Sequence, residues 1–176
     1  MRRRLLLPLV LLLIHVVATA RLSAQAGPVQ ALAPLVGGIW EGEGELPALG
    51  RFRAERTHEM TLGNRYLRIR QTMTLADGRT IEEETLIGWD AEKERYTLWG
   101  FSSDGSRSEA MGEAVGENRF VFTGRTHGAR AAEWRMTSFI IDEGSMSVLL
   151  EVKGARDFQP AMTLAFRRRS ATDSQP

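Results

Sequence analysis

Turn-forming groups recur along this chain at short intervals, and that rhythm limits the fold more than any other feature. Leu62-Gly63-Asn64, Asp77-Gly78, Asp90-Ala91-Glu92-Lys93, Ser103-Asp104-Gly105, Gly116-Glu117-Asn118, Thr126-His127-Gly128, Asp142-Glu143-Gly144 and Gly154-Ala155-Arg156-Asp157 separate short runs rich in Thr, Ile, Val, Phe, Tyr and Trp. Glycine, asparagine and aspartate supply the positive φ angles that tight hairpins need. The runs between them read as strands near 38–46, 50–60, 65–75, 80–89, 95–101, 106–115, 119–124, 130–141, 145–153 and 160–168. The expected class is all-β. Sequential antiparallel strands in this number suggest an up-and-down barrel, because closure removes the edges a meander leaves exposed. A sandwich with Greek-key connections is the alternative.

The first residues, MRRRLLLPLVLLLIHVVATARLSAQA, join three arginines, an apolar run from Leu5 to Val17 and the small-residue end Ala24-Gln25-Ala26. That is the layout of a secretory signal over 1–26, and the run is short for a permanent membrane anchor. A single domain is then expected over 27–169, with a short helical turn at its start, and 170–176 is expected to be a disordered tail. The leader contains four arginines and no acid, so the formal net charge goes from +1 for the whole chain to −3 without it, 19 basic residues facing 22 acidic ones. That balance speaks against nucleic acid as a partner. The chain has no cysteine, so an exported fold must hold by its core, without disulfides or thiolate chemistry. A secreted or periplasmic location is expected.

Alternation divides each strand into two faces. Over 65–75 one set is Leu67, Ile69, Gln71, Met73 and Leu75; the other is Tyr66, Arg68, Arg70, Thr72 and Thr74. Along Val36-Gly37-Gly38-Ile39-Trp40-Glu41-Gly42-Glu43-Gly44-Glu45-Leu46, the glutamates share a face opposite Trp40, Gly42 and Gly44. Alternate glycines permit strong coiling or the close approach of another backbone. The same run is no phosphate cradle, because it leads into Glu45, Leu46 and Pro47 rather than a helix N-terminus.

The opening Leu35-Val36-Gly37-Gly38-Ile39-Trp40-Glu41-Gly42-Glu43-Gly44 resembles the first strand of calycin barrels, the group of lipocalins and fatty-acid-binding proteins. It is most similar to nitrobindin-like proteins and a related set of uncharacterised bacterial secreted domains. Leu62-Gly63-Asn64-Arg65-Tyr66-Leu67 and Gly88-Trp89-Asp90, followed by Tyr96 and Trp99, extend the likeness. The resemblance implies that Trp40 plugs one end of a barrel and that a terminal-strand arginine, Arg167 or Arg168, covers its indole by cation–π contact. It also raises haem. The stretch Gln159 to Arg167, where those barrels carry their proximal histidine, has none; His127 and His58 lie elsewhere, and Met162 reads as core. No cofactor is therefore expected, with haem as a disfavoured alternative.

Among chemically capable groups, Glu82-Glu83-Glu84 is a linear run that does not converge as a metal site requires; it reads as a solvated face pairing with Arg68 and Arg70. No G-x-S-x-G setting or other recognised nucleophile is present. His58 shares a strand face with Arg56 and opposes Glu55 and Glu59, so it lines a lumen or serves as an acid–base group only if that face turns inward. Arg125 and Arg130 read as surface residues flanking turns. The leading expectation is a non-enzymatic binding module holding a small apolar or amphipathic molecule. Arg56, His58, Arg68, Arg70 and Arg135 are the candidate lining residues, and an inward arginine would meet an anionic head group. An enzyme using His58, and a filled barrel acting through its surface, are the alternatives. Oligomeric state is not legible in the sequence.

Overall fold

The computed structural model describes residues 28–46 and 50–169. The expected leader over 1–26 and the expected tail over 170–176 lie outside the described residues. A seven-residue 3₁₀ helix, η1 (Val29–Leu35), is followed by ten strands: β1 (Ile39–Leu46), β2 (Gly50–Thr61), β3 (Tyr66–Leu75), β4 (Thr80–Asp90), β5 (Arg95–Ser102), β6 (Arg107–Ala114), β7 (Arg119–His127), β8 (Ala132–Asp142), β9 (Ser145–Lys153) and β10 (Phe158–Arg169). Each strand pairs with the next in antiparallel sense and β10 pairs with β1, so the sheet is a closed up-and-down barrel and not a sandwich.

Closure gives the period-two pattern an inside. Phe52, Leu67, Leu98, Phe122, Val148 and Leu164, from six different strands, are all buried in one core. The inward phase of β3 is Leu67, Ile69, Gln71, Met73 and Leu75, as its burial pattern shows. Between Trp40 and Leu46, which pack on the core at its two ends, β1 turns only glycines inward, and these make room for β10. Gly42 lies opposite Phe166 in register; a Cβ there would stand 2.9 Å from the Ala165 carbonyl oxygen and 2.9 Å from the Phe166 ring. At Gly44 a Cβ would come within 2.6 Å of Leu164 Cδ2. On the outer face Glu41 meets Arg169 at 2.7 Å and Glu43 meets Arg53 at 3.0 Å, solvent-side pairs of small energetic weight.

η1 lies across one mouth. Leu32 and Leu35 enter the core, each contributing roughly 1.5–3 kcal/mol by burial. Four polar ties fix the segment: Tyr96 Oη–H donates to the Pro28 carbonyl at 2.7 Å, Trp40 Nε1–H to the Leu35 carbonyl at 3.0 Å, Gly37 N–H to the His58 carbonyl at 3.1 Å, and Arg168 Nη2 to the Pro34 carbonyl. Arg168 also covers Trp40, its guanidinium carbon 4.5 Å from the ring centroid, while Arg167 is exposed, in register opposite Glu41. Of the two arginines, Arg168 is the one that closes the barrel.

The fit at Gly42 has a measurable consequence. Gly42→Ala forces either the β1–β10 ladder or Phe166 to move, and overpacking of this kind costs about 1–3 kcal/mol. Urea unfolding should show that loss with an unchanged m-value. A variant as stable as the parent would mean that the ladder has slack the structure does not show.

Candidate functional site

Alternation in β2 turns Phe52, Ala54, Arg56, His58 and Met60 inward and Glu55 and Glu59 outward. Arg56 therefore sits inside a barrel whose walls are mostly hydrocarbon. Its guanidinium stacks on Phe166, 4.2 Å from the ring centroid, and its Nε donates to Gln71 Oε1. Gln71 Nε2 in turn donates to Glu83 Oε2 at 3.0 Å. Glu83 Oε1 accepts from Arg130 Nη2 at 2.8 Å, and Arg130 also donates to Ser102 Oγ at 2.8 Å and, through Nε, to Asp104 Oδ2 at 2.6 Å. A continuous polar chain thus runs from the barrel centre to the mouth opposite η1.

Each charge on that chain has an identifiable environment. Burial lowers the Arg56 pKa to about 10, with Glu83 working in the opposite sense, and it is still a cation at neutral pH. For Arg130 burial opposes the charge, but the carboxylates of Glu83 and Asp104 outweigh it and the pKa rises. Desolvation pushes Asp104 up; hydrogen bonds from Ser106 and Arg130 overcome this and bring it to about 2.

His58 stands one inward position from Arg56 and is 3 % exposed. Its ring meets Trp40 edge to face, centroids 5.7 Å apart, and neither ring nitrogen has a hydrogen-bond partner among the described residues. Burial, then Arg56, then Arg168 push its pKa from the ordinary 6.5 to about 3, so the ring is neutral. Beside it lies a void of about 40 Å³, bordered by Arg56, His58 and Ser138, by apolar side chains including Phe120 and Phe122, and by Leu32 and Leu35 of η1 as a roof. This is room for a few waters or one small ion, well below the several hundred Å³ of a typical ligand pocket.

Several sequence expectations change here. Arg68 and Arg70 are on the outer face: Arg68 Nη1 meets Glu59 Oε1 at 3.0 Å, and both arginines approach Glu84 at 3.4 Å. Arg135 is outside as well, held by Glu151 through two contacts of 2.6 Å and lying 5.0 Å from the Phe158 ring centroid. Their opposite-phase neighbours, such as Leu67, Ile69 and Trp134, take the interior, so these three arginines line no lumen. Glu83, expected in a solvated run, belongs to the inward phase with Ile87, and Arg130, expected at the surface, reaches into the barrel mouth. The signal for Gln71 was its place in an apolar phase; Arg130 had none. Among the described residues, no group of three or more His, Asp or Glu side chains is placed to hold a metal ion.

No protein-family model matches the chain, and no curated protein sequence does. Among solved structures it is similar to a de novo designed fluorescence-activating β-barrel, with 17% identity over 79% of this chain and 98% of that one and a TM-score of 0.44. A likeness at this level says nothing about what either barrel holds.

His58 links stability to pH. The unfolded chain binds a proton near 6.5 that the folded barrel refuses until about 3, so the contribution is intact above pH 6.5 and is lost as the pH falls. The slope below 6.5 should reach about 1.4 kcal/mol per pH unit. His58→Leu should abolish that component between pH 6.5 and 5 and raise stability at neutral pH by about 1 kcal/mol, because two unsatisfied nitrogens disappear. Urea titrations across that range decide the matter: an unaltered pH slope in the variant would place the proton uptake elsewhere.

Proposed function

We propose that this protein is an exported, non-enzymatic binding module whose ligand occupies the barrel interior beneath η1, between Arg56 and His58. The observation that carries this reading is buried His58, both of whose ring nitrogens are without a partner among the described residues, standing with the half-buried Arg56 beside a void. Buried polar groups are ordinarily satisfied, and an orphaned one costs about 1–3 kcal/mol. A fold selected for stability alone would fill this place with hydrocarbon. The closed barrel supplies the rigid wall that a preorganised site needs.

The size of the void narrows the ligand. A chain of lipid length does not fit while η1 is in place, so the apolar or amphipathic cargo suggested by the calycin likeness requires η1 to swing away. Haem fits less well still. The interior imidazole, His58, faces about 40 Å³, and the space a porphyrin would need is occupied by Trp40, Ile87 and Phe120, all buried. The acid–base alternative is weakened by geometry: Glu55 and Glu59 point away from His58, and a base whose pKa is about 3 is poorly matched to proton abstraction near neutrality.

Two measurements test the proposal. Mass analysis of protein exported from cells should find the chain beginning near Gly27 and one small molecule released per barrel on denaturation. NMR of ¹³C,¹⁵N-labelled His58 should show its ring signals moving when that molecule is added back. An empty barrel whose His58 signals are unmoved by a library of small polar compounds would overturn the binding reading.

A further inference from the structure

We infer that Arg56 anchors an interior anion site, entered past η1, that accepts a small carboxylate or an oxyanion of similar size, with His58 as a second donor. This rests on the binding reading above and names its chemistry.

The argument begins with what Arg56 lacks. Its Nε is bonded to Gln71, but its two terminal nitrogens form no hydrogen bond among the described residues. Glu83, the carboxylate that raises its pKa, is not free to pair with it: one oxygen accepts from Gln71 and the other from Arg130. Gln71 therefore acts as a neutral spacer. It passes part of the carboxylate's influence to Arg56 while keeping the anion itself at a distance. A half-buried cation compensated only through an amide is a poor stabilising device; it is a good receptor, since a guanidinium fork matches a carboxylate or planar oxyanion with two parallel donors.

The surroundings suit such a ligand. The Phe166 ring lies against the guanidinium, its centroid 4.2 Å from Cζ, and holds the group by cation–π contact without using its N–H donors. The void borders Arg56, and among the described residues that line it none is acidic, so nothing there repels an anion. Most of the wall is apolar, and in so low a local dielectric a single charge-assisted contact is strong. Neutral His58 offers one N–H without a competing charge, and Ser138 on the opposite wall offers a hydroxyl. A volume of about 40 Å³ suits an ion of three or four heavy atoms better than a phosphate ester or a sugar acid.

Access comes through the roof. Leu32 and Leu35 cover the void, and beyond burial η1 is held by the four polar ties described above, one of them the lone hydroxyl contact from Tyr96 to Pro28. A free anion needs only a brief opening of this segment. The head group of a longer molecule would keep η1 displaced.

Titration calorimetry and His58 NMR in chloride-free buffer, with formate, acetate, nitrate and octanoate as probes, test the site. The expected result is saturable one-to-one binding of at least one of the three small anions, with His58 ring shifts. Affinity should fall at least tenfold in Arg56→Met and several-fold in His58→Leu, and stay unchanged in Arg70→Met, which removes an outer-face charge. His58→Leu, expected to fold more stably than the parent, keeps the test open if Arg56→Met does not fold. Binding of octanoate together with the small anions would assign the site to a head group; binding of the small anions alone would assign it to free ions, and both support the anchor. Equal binding by the parent and both interior variants, or no saturable anion binding, overturns the inference. If a neutral compound then still moves the His58 signals, the binding module stands without its anion chemistry; if nothing does, both fall.

Discussion

The hydrogen-bonded seam between β1 and β10 is the constraint on which the rest of this barrel depends. Until those strands pair, an alternating sequence has two equivalent faces; once they pair, one face is sealed from water and every inward residue must be apolar, satisfied or functional. The seam forms because β1 withdraws its side chains at Gly42 and Gly44, letting Leu164 and Phe166 of β10 occupy the axis. Phe166 then becomes the platform for Arg56. A glycine in the first strand and a cation in the second are thus joined through a ring in the last.

Within the sealed space, charge is arranged in two regimes. Toward the mouth opposite η1, Arg130 forms direct ion pairs with Glu83 and Asp104, whose carboxylates hold its guanidinium in the charged state. Toward η1, Arg56 and His58 have no such partners among the described residues. The amide of Gln71 separates the regimes, accepting from one and donating to the other. Direct pairing at the first end satisfies structure; incomplete pairing at the second leaves capacity for something else.

Much of this architecture was legible in residue order. The spacing of Asp77-Gly78, Ser103-Asp104-Gly105 and similar turns located the strands, while a plug at Trp40 covered by Arg167 or Arg168 was implied only by the resemblance of the Leu35–Gly44 opening. Which face turned inward was legible only where one phase was plainly apolar, as in β3. There the inward Gln71 stood out, and the outward Arg68 and Arg70 could have been removed from the lumen by the same logic. Glu83 was harder, since three consecutive acids hide a phase. Arg130 was not legible at all: it lies in a turn, and its inward course is set by where Glu83 and Asp104 wait, the first of them 47 residues away. Local pattern encodes strands and faces; convergence of loops on a mouth is a property of the closed object.

The pairing of the first strand with the last also sets when this protein can become a barrel. Contacts between β1 and its partner β2 are local, whereas β1 and β10 are joined across nearly the whole domain, so the final closure has the longest loop to bridge. Every shorter fragment, however complete its hairpins, keeps two raw sheet edges and an unsealed interior in which Arg56 is hydrated and η1 has nothing to cover. The chain consequently has a point in its own completion before which it is a sticky ribbon and after which it is a vessel, and that point arrives only with the last dozen residues of β10.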